Sequence, residues 1–359
     1  MAIAQEKPLI KPTNPWQKKN ANRSRDVALA SIAPLAITVL LVYVFSLNFA
    51  LSAFGILLPL QFVAAALVGR KHYGKRGGSD AALMVFTIFF SALVAVLLLS
   101  VFFSVVVNGA QTISPAFISQ NNVYISPTTS LEYGGAGHSI IGTILVVGLT
   151  TLFTVPLGVL IAIYLTETRG RARSVVRTLV QAMSGLPSVV AGLFVYSALI
   201  VTGVTAYAGW AGSLALMPLM LPTVTRIAEE ALRLVPADLR NGALALGAPT
   251  YRAFFQVILP AAKTGLITAV LLGIARIIGE TAPLLLTTFA ANGTSFNVFS
   301  GPMSTLPTYL YQFISAGYDT STSRAWGAAL VIMLLVALLF STARILGRDA
   351  KKPQRKKKG

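Results

Sequence analysis

Cysteine is absent from this 359-residue chain, which excludes disulfides, thiolate catalysis and Cys-based zinc or iron–sulfur sites. Charge is scarce: 11% of residues are Asp, Glu, Lys or Arg, against roughly 25% in a soluble domain. Acidic residues are the scarcer kind, 11 against 29 basic ones. Histidine occurs twice, as His72 and His138, and neither has metal-ligand company in the sequence. No Gly-x-x-x-x-Gly-Lys-Ser/Thr stretch occurs, so the chain lacks that phosphate-cradling loop for ATP. The strand alternation of an outer-membrane barrel is missing too, which leaves helices to satisfy the backbone in lipid. The apolar stretches also lack the clustered His, Asp or Ser pairs of an intramembrane enzyme.

What is there is apolar. Hydrophobic residues make up 55% of the chain and the mean hydropathy is +0.73. A span needs roughly 20 largely apolar residues, and eight stretches qualify: 27–47, 51–69, 82–107, 139–165, 187–206, 209–227, 264–289 and 325–346. Gly and Pro interrupt the fifth and sixth. The expected fold class is therefore an all-α polytopic membrane protein with about eight transmembrane helices.

A formal charge of +18 would suggest nucleic acid in a soluble protein, but here the distribution decides. Lys18, Lys19, Arg23 and Arg25 precede the first span, Arg70, Lys71, Lys75 and Arg76 follow the second, and Arg169, Arg171, Arg173 and Arg177 follow the fourth. Arg233, Arg240, Arg252 and Lys263 follow the sixth, and seven Lys and Arg residues end the chain. Segments 108–138 and 290–323 contain no Lys or Arg. Alternate loops thus obey the positive-inside rule, which predicts both termini in the cytoplasm. The basic tail reads as solvated and topology-fixing, and no nucleic-acid partner is expected.

The organisation expected is a polar cytoplasmic tail over 1–26, a two-helix hairpin over 27–69 turning near Asn48, a basic linker over 70–81, a transmembrane domain over 82–346 and a basic tail over 347–359. The first span follows a long polar leader, so it reads as a retained span rather than a signal peptide. Loops 108–138 and 290–323 are long enough to fold over the external mouth.

One stretch places charge inside hydrocarbon. Arg276 and Glu280 lie in an otherwise apolar run from Leu266 to Phe289, and a charge at mid-bilayer costs roughly 2.5–3.5 kcal/mol on insertion scales. Spacing i,i+4 predicts one helix face and mutual neutralisation. A structural ion pair and a polar pathway both fit, and the pathway reading is the stronger. Thr281 adjoins the pair, and Pro283 is expected to kink the span beside it. Ser184, Gly185, Pro187 and Ser188 open the fifth span, where a Pro/Gly break tends to line a cavity. The Ser188 hydroxyl has two equal readings there, donating to an anion or bonding its own helix.

Segment 228–263 is the longest internal loop and its pattern is helical twice over. Pro236 suits a first helical turn; Leu239, Ala243 and Leu246 then form a stripe, and Gly247 with Pro249 supplies a stop. Tyr251, Phe254, Phe255 and Ile258 repeat the spacing with aromatic weight before Leu259-Pro260. Two apolar stripes in water need a cover, either the chain's own membrane base or a partner.

The spacing Asn241-Gly242-Ala243, Gly247-Ala248 and Ile258-Leu259-Pro260 resembles the cytoplasmic loop of ABC importer permeases, with Asn241-Gly242 where the family has Glu-Ala. Three further segments are similar to permeases of phosphate-specific ABC importers of the PstA type: Ser184-Gly185-Leu186-Pro187-Ser188 through Phe194, Val155-Pro156-Leu157-Gly158 through Glu167, and Ala275-Arg276 through Gly279-Glu280-Thr281-Ala282-Pro283-Leu284-Leu285. That resemblance implies a six-helix, MetI-like permease core at 82–346, with the hairpin 27–69 as an addition, in the inner membrane of a bacterial cell. It implies a heterodimer with a PstC-like permease, two PstB-like ATPase subunits that use ATP as the energy source, and an external PstS-like phosphate-binding protein. This chain would then be non-catalytic and bind no cofactor of its own. Arg276, Glu280, Thr281 and Ser188 would line the translocation path, and Ala243, Gly247, Tyr251, Phe254, Phe255 and Ile258 would meet the ATPase. A permease for molybdate or sulfate, and less so an ion channel or secondary carrier, are the alternatives.

Overall fold

The computed structural model describes residues 21–348. The basic tail from 349 onward and residues 1–20 of the polar leader lie outside them. Residues 21–26, expected in the polar tail, belong to a helix, Ala21–Ala30. The described residues form helices and connecting turns, with no strand among them. Six helices are long and apolar enough to cross a membrane, or eight spans if each of two bent pairs counts as one. This is a multi-pass membrane protein. Two compact units meet in sequence at Phe102 and Phe103.

In the first unit, α1 (Ile32–Phe45) ends at Ser46, which takes a left-handed conformation at φ 49°. Two helices follow, α2 (Ala53–His72) and α3 (Gly74–Ala110), of which α3 runs on beyond Phe102. The expected basic linker 70–81 is therefore helical, because Lys and Arg are good helix formers and only Gly74, at φ 73°, leaves helical geometry. Small residues then let α2 and α3 close tightly. A Cβ on Gly69 would stand 2.6 Å from the Gly77 carbonyl oxygen, and Ala65, Ala81 and Val85 form the buried core of the hairpin. Without a hydrophobic drive between helices in lipid, this close approach supplies the packing. Leu35, Val39, Leu40, Val96, Leu97 and Leu98 stay exposed, as lipid-facing side chains should.

The second unit is built around α7 (Gly209–Arg233), with α4 (Gly137–Glu167) packed along it. Val146 and Val147 of α4 meet Leu216, Leu219, Met220 and Val224 of α7 in the main core. Glycines bring the helices close: a Cβ on Gly158 would sit 2.9 Å from Val224. Several buried hydroxyls bond the preceding turn, as Thr150 does to the Val146 carbonyl at 2.8 Å, which removes a donor that lipid could not satisfy.

Two expected spans depart from a straight helix. The fifth, 187–206, is held by α6 (Ser188–Val195, continued by a π-turn over Tyr196–Val201), which meets a preceding helix, α5 (Arg171–Ser184), at a bend of 101°. Pro187 disfavours helix in the residue before it and cannot extend α5. From Ser188 to Val201 the helix is about 21 Å long, short of the roughly 30 Å of hydrocarbon. The seventh expected span, 264–289, divides into α10 (Lys263–Ile277) and α11 (Ala282–Thr287), after the short helices α8 (Ala237–Ala245) and α9 (Thr250–Ala261). Pro283 has no N–H to continue the α10 ladder and stands in the first turn of α11 instead, the position Pro tolerates.

Two more boundaries shift. Segment 290–323 is not all loop, since it holds α12 (Leu306–Ala316), and the last helix, α13 (Asp319–Arg348), starts before 325. Helix α7 runs on to Arg233, inside the expected cytoplasmic loop.

Candidate functional site

Arg276 lies in the last turn of α10, about 20 Å along the helix from Lys263. Beside it is a cavity of about 430 Å³, lined by Ser184, Thr223, Arg226, Glu230 and Arg276 together with Leu219, Pro222 and Ile227. Arg226 and Glu230 are successive i,i+4 positions on α7. Arg276, Arg226 and Glu230 are exposed in the chain taken alone, and among the described residues none of the three makes an ion pair. Two guanidinium forks, one carboxylate and two hydroxyls thus converge on one open chamber. Such a set offers bidentate donors to an oxyanion and one negative group to limit how tightly it is held.

The expected Arg276–Glu280 pair does not form. Glu280 lies past the end of α10, in the turn where its N–H bonds the Ile277 carbonyl at 3.1 Å, and no ion pair joins it to Arg276. The i,i+4 geometry requires a continuous helix, and Gly279 with Pro283 interrupts it. Glu280, Thr281 and Ser188 do not line the chamber; all three are half-buried. Ser188 opens α6, and its hydroxyl makes no hydrogen bond to its own helix among the described residues. Helices α6 and α11 nevertheless press together, since a Cβ on Gly192 would be 2.5 Å from Pro283 Cα. Arg226 and Glu230 were passed over in the sequence because they lie near the end of a span, where charge is ordinary. Their i,i+4 spacing was the available signal.

Helices α8 and α9 divide between core and surface. Phe254 and Ile258 are buried with Ala162, Ala228, Leu232 and Ala269, so they hold the chain's own base together. The outward apolar set is Leu239, Leu244, Leu246, Tyr251 and Phe255. Pro236 caps α8 as the sequence suggests, and Gly247 turns the chain at φ 83°. Ala243 is half-buried on α8. The second helix does not close at Leu259-Pro260; it continues to Ala261 and meets α10 at 66°.

Ion pairs tie this base to the membrane helices. Arg240 of α8 binds both carboxylate oxygens of Glu167 at the end of α4, with Nη1 to Oε2 at 2.8 Å. The Glu167 hydrogen bond raises the Arg240 pKa above its ordinary value. Glu229 of α7 accepts from Arg177 of α5 and, at 2.5 Å, from Arg233.

At the opposite end of α13 Arg324 is fully buried, though sequence reading gave it no role. Its Nη2 donates to the carbonyls of Tyr133 at 2.7 Å and Ser130 at 2.9 Å, pinning the loop before α4.

Residues 154–352 match the family described as binding-protein-dependent transport system inner membrane component. The phosphate transport system permease protein PstA 1 of Mycobacterium tuberculosis is 38% identical over 214 residues, 59% of this chain and 70% of that protein. PstA of Pasteurella multocida is 41% identical over 216 residues, 60% of this chain and 76% of that protein. Among solved structures, the MetNI methionine ABC transporter in an inward-facing conformation aligns with TM-score 0.49 and 18% identity, over 60% of this chain and 94% of that chain. An amino acid ABC transporter with histidines aligns with TM-score 0.47 and 18% identity, over 59% and 92%. A family match over more than half of the chain, with PstA proteins covered over more than two thirds of their length, places the chain in the binding-protein-dependent transport system inner membrane component family, on its PstA side.

Proposed function

We propose that this chain is one permease subunit of an ATP-driven importer of inorganic phosphate, and that it forms the translocation path with a second, PstC-like permease. The observation that carries the reading is the chamber with Arg276, Arg226 and Glu230. It stands open in the single chain, as one half of a pathway between two subunits should. The names of the PstA relatives support phosphate over molybdate or sulfate.

Phosphate entering the chamber loses part of its hydration, and two permanently charged forks replace it. Glu230 limits the net positive charge, since passage requires binding weak enough to release. Ser184 and Thr223 supply neutral hydroxyls at the same wall. The chain carries no Gly-x-x-x-x-Gly-Lys-Ser/Thr loop, so ATP hydrolysis falls to two separate PstB-like subunits, which dock on the Leu246, Tyr251 and Phe255 surface. An external PstS-like protein delivers the anion. The membrane is the bacterial inner membrane, with both termini cytoplasmic as the basic loops dictate.

The test is uptake into proteoliposomes holding this chain, its partner permease, the ATPase and the binding protein. ATP-dependent accumulation of phosphate, with no comparable uptake of molybdate or sulfate, is expected. Accumulation of either of those two in preference would replace phosphate as the substrate.

A further inference from the structure

Between α2 and α3, in the first unit, lies a cavity of about 640 Å³. One wall carries Phe62, Ala66 and Arg70, the other Lys75, Ser79 and Leu83. Its two ends differ in chemistry. Arg70 and Lys75 flank the Gly74 reversal, in a stretch where Arg70, Lys71, Lys75 and Arg76 outnumber the one acidic residue, Asp80. Phe62 and Leu83 form the other end, and Leu83 is 63% exposed.

The position of this gradient is set by the sequence on either side. Residues 53–69 and 81–110 contain no Asp, Glu, Lys or Arg, so both helices leave the basic reversal directly into hydrocarbon. The cationic end therefore sits at the boundary between water and lipid, and the apolar end below it. Phe62 lies about 12 Å along α2 from Arg70. That distance suits a phosphodiester headgroup at the charged end with its glycerol and first acyl carbons along Phe62 and Leu83. A free phosphate ion would use the charged end alone and leave the apolar walls uncovered.

We propose that this cavity is a binding site for an acidic phospholipid, with Arg70 and Lys75 holding the headgroup phosphate and Ser79 donating to it. Basic pockets between transmembrane helices at the membrane surface have the chemistry to hold such headgroups. The site is distinct from the Arg276 chamber and does not depend on which anion that chamber carries. It gives the junction between α2 and α3 a role as a lipid-held element.

The experiment measures phosphatidylglycerol and phosphatidylcholine binding to the complete purified complex, using fluorescent lipid in detergent. Phosphatidylglycerol should bind in clear preference. Each basic side chain contributes about a fivefold effect near an anionic lipid surface, so Arg70→Gln with Lys75→Gln should weaken phosphatidylglycerol binding roughly thirtyfold. Ser79→Phe fills the cavity without changing charge and should produce a comparable loss. Lys71→Gln with Arg76→Gln removes equal charge outside the lining and should have a much smaller effect. Equal losses from the two charge pairs would mean a diffuse basic surface and overturn the site. Displacement of the lipid by excess inorganic phosphate would instead make the free ion the ligand, and no preference over phosphatidylcholine would also end the proposal. Should Ser79→Phe prevent assembly, the two charge pairs still decide.

Discussion

Arg240 of helix α8 grips both carboxylate oxygens of Glu167, the last residue of α4. The next residues on α8 are Asn241 and Gly242, the positions where the importer family carries Glu-Ala. The charge contact at this helix is internal to the chain, and it joins α8 to α4, a helix that packs along α7. The pair is partly solvated, with Arg240 37% exposed and Glu167 20%, so it contributes only about 1 kcal/mol to stability. Its orientation matters more.

Arg240→Gln should accordingly leave the complex assembled while loosening the transmission of motion. The expected result is continued ATP hydrolysis with several-fold less phosphate imported per ATP. Exchanging the charges, Glu167→Arg with Arg240→Glu, should recover part of the ratio. An unchanged ratio in Arg240→Gln would mean that this contact carries no coupling.

Arg276→Gln keeps hydrogen bonding and removes charge, so phosphate uptake should collapse with assembly intact, and Arg226→Gln should lower it too. The carboxylate that counts is the one in the same chamber. A cycle of Arg276→Gln and Glu230→Gln should be non-additive in uptake, because the two act on one ion. The corresponding cycle with Glu280→Gln should be closer to additive. The reverse pattern would restore Glu280 as the partner of Arg276 and remove Glu230 from the path.

The aromatic residues of α9 should separate into two classes. Phe254 is 4% exposed, and Phe254→Ala should cost about 3–5 kcal/mol by opening a cavity among Ala162, Ala228 and Leu232. Thermal unfolding of the purified chain would register it. Tyr251→Ala with Phe255→Ala removes exposed surface and should leave unfolding nearly unchanged while reducing ATPase retained in a pull-down. Full retention after that double change would discard the docking surface.

How much of this was legible in the sequence follows from the kind of signal each element leaves. The long apolar runs gave six spans within a few residues, because a membrane imposes length and composition together. The breaks at 185–187 and 278–281 were visible as Gly and Pro. What they did to the chain was not, since a kink and a full break leave the same residues. That is why Arg276 and Glu280 read as a helix-face pair. Phe254 and Phe255 are adjacent and alike in the sequence, and only packing against Ala162 and Ala228 separates core from surface. Arg324 left no signal at all, being a lone charge at a helix start whose partners are backbone carbonyls nearly two hundred residues away.

Arg324 also allows the firmest structural prediction. Its side chain is wholly buried, and three loop carbonyls, those of Thr129, Ser130 and Tyr133, converge on Nη2. Thr320, one turn earlier, donates to the Pro127 carbonyl at 2.6 Å, so two residues of α13 hold the same loop. Arg324→Met fills much of the volume but leaves the carbonyls without a donor in a buried site. Leaving buried acceptors unsatisfied costs about 1–3 kcal/mol. Segment 126–133 should therefore exchange amide hydrogens faster and become open to protease, while α4 and α7 keep their protection. Arg324→Lys retains the charge but offers a compact ammonium in place of the planar fork, so it should recover only part of the protection. Thr320→Val removes the outer tether alone and should release 126–128 with little effect at Tyr133. Unchanged exchange across 126–133 in Arg324→Met would show that the loop is held by something other than this arginine.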